Sequence, residues 1–345
     1  MENKMTVKAE NKVNIKEKLA QGWIYVLLVV LVATFSIITP NFLSTANVGN
    51  FFRQIPTIGI VTIGLTIVLV TGGVDLSVGS IVAFTGTAAA YLSISGMNPV
   101  LVVLASIVIG AFWGLVNGFL IAKFDLEPFI LTLGTNYVIR GVILFLTNGI
   151  YIKGVPDWFY KISNTKVGLN VIYTNTIIFV ALIALAAYMM KNTRFGRYCY
   201  AVGSNREAAR LSGIKTDRHF IKVYVLEGAL AGIAGILLMS SLNVGAPAEA
   251  NGLDAFALAA AIIGGTRFGG GIGTIGGAIA GIFTIEIFKN GLSLLGMNAF
   301  IQQAVTGVII IAAVILDFYR KGKLFTKKKV TNASDSNSKN QKVSA

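Results

Sequence analysis

The sequence predicts an all-α, polytopic integral membrane protein of about ten transmembrane helices, with two glycine-rich helix breaks and both termini in the cytoplasm. Three observations predict it. Of 345 residues, 54% are hydrophobic and 13% charged, and the apolar residues gather into repeated runs of about 20, the length that crosses a bilayer as a helix. The formal net charge of +14 is concentrated, with 21 of the 29 Lys/Arg in residues 1–18, in 191–222 and from Arg320 onward. Basic segments flanking apolar runs mark cytoplasmic loops, so the excess reads as a topology signal and not as a nucleic-acid surface. Finally, glycine clusters at Gly72-Gly73 and from Gly264 to Gly273 interrupt apolar runs. Such breaks are tolerated at membrane depth only where they are buried in protein or line a cavity.

Residues 1–22 are expected to be a basic cytoplasmic tail, 23–317 the transmembrane domain with a cytoplasmic loop at 191–221, and 318–345 a basic, disordered cytoplasmic tail. The first span, Trp23–Thr39, exceeds a signal-peptide core, lacks a small-residue cleavage site and is read as retained. Pro40 ends it, and Ser44 or Thr45 is placed to cap the next helix. Ile55–Val70 is the second span. It runs into Thr71, Gly72, Gly73, Val74, Asp75, Leu76 and Ser77, where the paired glycines stop the helix and Asp75 or Ser77 can cap the third span, Ile81–Ile94.

Pro99–Ala122, the fourth span, carries Gly110, Gly114 and Gly118 at intervals of four, a face for close helix packing. The fifth opens at Glu127-Pro128 and contains Thr135, Asn136 and an intramembrane Arg140, which requires a partner or a polar cavity. An external loop at 148–173 leads to the sixth span, Thr174–Met190. In the basic loop that follows, Asn205 caps a short helix through Arg206, Glu207, Ala208, Ala209, Arg210 and Leu211, which Gly213 terminates. Ala208, Leu211 and Ser212 share one face, a small apolar knob for a partner's cleft; as a basic loop the same segment suits anionic membrane lipid.

The seventh span is Lys222–Ser241, with Glu227 inside it, followed by an external turn at 243–247. Asp254 begins the eighth, which passes through Gly264, Gly265, Thr266, Arg267, Gly269 and Gly270 into the ninth, Ile275–Phe288. Its layout of span, glycines, polar cluster and small-residue span echoes the first break. Glu286 and Asn290, four apart, share a face and are placed to hydrogen-bond locally. Ala299–Leu316 is the tenth span.

The chemistry of several classes is missing. One cysteine, Cys199, excludes an internal disulfide, and with one His219 it cannot form a His/Cys metal cluster. There is no glycine-rich loop ending in Gly-Lys-Ser or Gly-Lys-Thr, so ATP is not expected to bind this chain, and no nucleophile–base motif marks an enzyme.

TGGVDLSVGS (71–80), EPFILTLGTNYVIRG (127–141), TRFGRYCYAVGSNREAARLSGI (193–214), IIGGTRFGGGIGTIGG (262–277) and NGLSLLG (290–296) stand in this order. Together they make the chain resemble the permease subunits of ATP-binding-cassette (ABC) importers for ribose, xylose, arabinose and galactose. The resemblance implies that Asn205, Glu207, Ala208, Ala209, Arg210, Leu211 and Gly213 form the coupling helix seated on an ABC ATPase subunit. The Leu-Pro that commonly continues this motif is absent. It implies further partners: an extracytoplasmic sugar-binding protein and a second permease copy, in a multi-pass arrangement in the cell membrane. ATP and Mg would bind the ATPase, with no cofactor on this chain. Thr71, Gly72, Gly73, Asp75, Ser77, Asn117, Thr135 and Asn136 are candidates for the translocation path. Asp254, Gly264, Gly265, Thr266, Gly269 and Gly270 are candidates for a gate. A second reading, an ion-coupled secondary transporter of a small polar solute, would use Asp75, Glu227, Asp254 and Glu286 as proton carriers.

Overall fold

The computed structural model describes residues 24–168 and 171–320; the predicted tail 1–22 lies outside the described residues, as does the predicted tail 318–345 apart from 318–320, which continue the last helix where disorder was expected. The helices are α1 (Ile24–Ile38), α2 (Thr45–Val70), α3 (Val78–Ile94), α4 (Pro99–Phe124), α5 (Pro128–Thr147), α6 (Asp157–Asn164) and α7 (Thr174–Asn192). They continue as α8 (Arg194–Ser204), α9 (Arg206–Leu211), α10 (Thr216–Leu242), α11 (Leu253–Ile263), α12 (Ile275–Leu294) and α13 (Ala299–Arg320). The only sheet among the described residues is a two-residue antiparallel hairpin, β1 (Lys166–Val167) with β2 (Ile172–Tyr173), beside α6.

The chain is an all-α polytopic membrane protein. Six helices, α2, α4, α5, α7, α10 and α12, are long and apolar enough to cross a membrane. The ten apolar segments all become helices, but not ten full-length spans: α1, α3 and α11 are shorter. α11 has 11 residues, about 16 Å, half of a bilayer core.

The reason lies in the segment before α11. A Cβ on Gly245 would lie 2.8 Å from the Ala90 side chain, and one on Gly79 would lie 2.7 Å from the Ala250 carbonyl oxygen. Residues 245–250 therefore run inward along α3 from Ala90 to Gly79, about 16 Å of helix axis. What the sequence presents as an external turn is a non-helical segment that replaces the outer half of the eighth span. Its carbonyls need donors at this depth. Arg140 supplies two, donating from Nη1 to Pro247 O at 2.9 Å and Glu249 O at 2.7 Å. The costly arginine of the fifth span is thereby explained.

α2 is the central helix, buried along most of its length, and α7, α10, α11 and α12 pack around it. Ser44 caps it, accepting from Asn47 N at 3.2 Å, as expected for one of the two cap candidates. The α4 and α10 backbones touch. A Cβ on Gly110 would lie 2.1 Å from Gly228 O, one on Gly114 2.1 Å from Tyr224 O, and one on Gly232 2.4 Å from Ser106 O. The predicted glycine face thus meets a second on α10, and close approach is the main bond between these helices. α4, α5 and α7 are mostly exposed, the outer wall of the bundle.

Candidate functional site

The first glycine break is filled with protein. Thr71 is buried and its hydroxyl donates to Ile67 O at 2.8 Å, within α2. Gly72 takes φ +92°, the left-handed turn that only glycine adopts freely, and Gly73 packs beneath Tyr224, whose hydroxyl would lie 2.7 Å from an added Cβ. Asp75 Oδ1 then accepts from Ser77 N at 2.7 Å and Ser77 Oγ at 2.6 Å, and Asp75 Oδ2 from Asn117 Nδ2 at 3.3 Å. Asn117 Nδ2 also donates to Ser77 Oγ at 2.8 Å. Ser77 is the N-cap residue of α3, but its side chain makes no capping bond; it is Asp75 that takes the free backbone N–H. Thr132 Oγ1 of α5 accepts from Leu76 N at 3.0 Å, and Tyr224 Oη of α10 donates to Val74 O at 2.8 Å. The non-helical backbone is therefore braced by α4, α5 and α10, which satisfies its polar groups away from water. Glu227 is buried nearby, packed against Gly64 of α2, and neither of its carboxylate oxygens has a donor.

The other path candidates divide. Asn136 accepts a hydrogen bond from Ser80 Oγ and so ties α5 to α3. Thr135 donates to Leu131 O at 3.0 Å and lines a largely apolar groove of about 590 Å³ between α4 and α5, away from the Asp75 cluster.

The second break closes on the first through α8. Gly271 N donates to Val70 O at 2.8 Å, which joins the loop after α11 to the end of α2. Gly203 of α8 lies between them: a Cβ there would stand 1.8 Å from Val70 O and 2.7 Å from Gly271 N. A Cβ on Gly270 would lie 2.5 Å from Gly203 O, and Tyr200 Oη donates to Gly273 O at 2.8 Å. Cys199, buried on the same helix beside Thr71, has its thiol pushed up to about 11 by burial, which keeps it unreactive. Gly264 packs against Gly277 O, Gly265 turns the chain at φ +89°, Thr266 is buried and Gly269 is exposed. Asp254 lies apart from these, at the start of α11, with Oδ1 3.2 Å from where a Gly79 Cβ would be. Its carboxylate faces the first turn of α3, a favourable place for negative charge.

α8 passes directly into α9. Asn205 caps α9, Oδ1 accepting from Ala208 N at 2.9 Å, and Gly213 at φ +84° ends it, with Ile214 N donating to Ala209 O at 3.1 Å. Ala209 is buried, whereas Ala208, Leu211 and Ser212 face outward, with Leu211 76% exposed. Glu207 and Arg210 pair on the exposed surface at 2.6 and 3.0 Å; those bonds hold the glutamate below the usual carboxylate range and raise the arginine further. Arg206, not among the candidates read from sequence, anchors the helix. Its Nη1 bonds Asp125 Oδ1 just past α4 at 3.1 Å and its Nη2 bonds Asp217 Oδ1 of α10 at 3.0 Å. The arrangement is a short helix with an exposed apolar knob, joined through one extended residue, Asn205, to a helix that clasps both breaks.

A family model described as "Branched-chain amino acid transport system / permease component" matches residues 47–314. The chain belongs to this permease family. The permease is 38% identical over 291 residues to a ribose import permease protein of Bacillus subtilis, covering 84% of this chain and 90% of that one. It is 33% identical over 302 residues to an L-arabinose ABC transporter permease protein of Azospirillum brasilense, covering 87% and 88%. To a D-allose transport system permease protein of Escherichia coli it is 34% identical over 297 residues, covering 85% and 90%. No solved structure matches the permease. These relatives give no support to the ion-coupled reading.

Proposed function

We propose that the permease is the membrane subunit of an ABC importer that carries a monosaccharide, ribose or a related pentose or hexose, across the cell membrane. ATP and Mg bind a separate ATPase subunit, an extracytoplasmic binding protein delivers the sugar, and a second permease copy completes the path. The similarity to ribose, arabinose and allose permeases supports the substrate class. The observation that carries the mechanism is the junction of α8 and α9 across the single residue Asn205. Ala208, Leu211 and Ser212 offer an exposed knob to an ATPase cleft, Glu207 and Arg210 flank it, and the other end of the same unit holds Val70, Gly271 and Gly273. A displacement of α9 when the ATPase closes is delivered through Gly203 to the ends of α2 and α11 together. Both breaks lie in non-helical backbone, where a few dihedrals absorb a large movement. Because Asp75 ties the break to α3 and α4 and Thr132 ties it to α5, those helices follow it.

Co-expression with the cognate ATPase and purification through a tag on the permease tests the assignment. Wild type is expected to retain the ATPase and to take up labelled sugar into proteoliposomes only with ATP and the binding protein. The Glu207→Ala, Arg210→Ala double variant is expected to lose both. A permease that purifies alone and moves sugar without ATP would overturn the proposal.

A further inference from the structure

At the other end of the bundle, the outer parts of α2, α10 and α12 and the inward-running segment enclose a cavity of about 440 Å³, within the range of small-molecule sites. Arg53 and Gln54 of α2, Glu249 of the non-helical segment, Phe256 of α11, and Glu286 and Lys289 of α12 line it. The sequence placed Glu286 in a bond with Asn290. Instead Lys289 Nζ bonds Glu286 Oε1 at 3.1 Å and lies 5.0 Å from the centre of the Phe256 ring. Asn290 exchanges two 2.9 Å bonds with Asn47, which clasps α2 to α12 beside the cavity.

We infer that this cavity is a station at which the permease holds one monosaccharide-sized polyol before translocation, an inference that rests on the sugar reading above. Charge identifies the ligand class. Two cations, Arg53 and Lys289, face two carboxylates, Glu249 and Glu286, so the lining is formally neutral and favours neither an anion nor a cation. A sugar hydroxyl both donates and accepts, and a lining that holds both donors and acceptors can satisfy it. The Phe256 ring supplies an apolar face for a pyranose or furanose. Burial points the same way: the Glu286 side chain is 9% exposed in a membrane-crossing helix, a costly place for a charge, and its partner Lys289 stands three residues on in the same helix, so the pair ties no two helices together. The partners are also positioned from outside the cavity: Arg53 Nη1 bonds Asn164 Oδ1 of α6 at 3.2 Å, and Arg140 fixes the segment that carries Glu249. The Glu286–Lys289 pairing weakens the grip of those two groups on a sugar, which suits a site that must also release it.

The test uses the buried thiol of Cys199, which leaves an introduced cysteine as the accessible one. In the complete transporter, Gln54→Cys is labelled with a membrane-impermeant maleimide in the presence of D-ribose, L-arabinose, D-allose or L-leucine. The expected result is labelling slowed at least threefold by the sugar that wild type transports, and not by leucine. Alongside it, Glu286→Gln with Lys289→Met is expected to cut uptake at least tenfold while the ATPase still co-purifies. No protection by the transported sugar, or protection by leucine alone, overturns the inference, as does undiminished uptake by the double variant. If wild type takes up none of the three sugars with ATP, the sugar reading itself fails, and the station falls with it.

Discussion

Gly203 is the residue on which the coupling argument turns. An alanine there would place its Cβ 1.8 Å from the Val70 carbonyl oxygen, inside any permitted contact, and the obstruction is backbone and cannot rotate away. Gly203→Ala is expected to leave the permease in the membrane, with its ATPase bound, while ATP-dependent uptake falls at least tenfold. Co-purification and proteoliposome uptake measured on one preparation check this. Asp75 makes a different prediction. As asparagine it would present an amide to donors that now find a carboxylate, and about 1–3 kcal/mol of stability should be lost. A lower thermal unfolding midpoint in detergent, with Asp75→Glu intermediate, is the expected outcome. These residues were unequally legible. Asp75 announced itself as a cap candidate, and Asn205 and Ser44 took the cap roles their local sequence prescribes. Gly203 gave no signal, since its partners Val70 and Gly271 lie far off in the chain and close approach is visible only after folding. Glu286 was paired with the wrong neighbour because Lys289 and Asn290, three and four residues on, both fall on its face of the helix.

Helical periodicity and caps made α9 readable to within its observed bounds, and its packing followed, with Ala209 inward and Leu211 outward. Leu211 contributes little to folding at 76% exposure, so Leu211→Asp should leave stability unchanged. It should nevertheless abolish ATPase co-purification, whereas Lys215→Ala, also exposed, should not. α11 was the element least visible in the sequence. Its flanking apolar residues suit a helix of full length, and composition does not register that Ala246 to Ala250 runs along α3 in extended and turned backbone, with Ala246 and Pro247 buried. Arg140 was the one clue, a charge without an evident partner. Arg140→Met leaves the Pro247 and Glu249 carbonyls without their donor, at about 1–3 kcal/mol for the part-buried Pro247 acceptor and less for the exposed Glu249 one. The loosened segment should exchange its backbone amides faster between Ala248 and Asn251 while α2 stays protected, which hydrogen–deuterium exchange reads directly.

Across the whole molecule, burial is graded from α2 at the centre to α4, α5 and α7 at the wall, and polar function collects at the two ends of that central helix. Its inner end meets both breaks and α8; its outer end meets the charged cavity. A signal from the ATPase and a solute from outside thus act on opposite ends of one buried rod, linked by α2 and by the α4–α10 glycine contact. This division depends on the sidedness read from basic residues, which place 191–222 inside and therefore the loop between α5 and α6 outside. Single cysteines at Ser212, in the α9 turn, and at Lys153, in that outer loop, decide it, since both positions are exposed and Cys199 is buried. With an impermeant maleimide added to intact cells, Lys153→Cys should label and Ser212→Cys should not until the membrane is opened. Reversed labelling would put the apolar knob of α9 outside, beyond the reach of any cytoplasmic ATPase, and the charged cavity inside. The same fold would then have to work as a different machine.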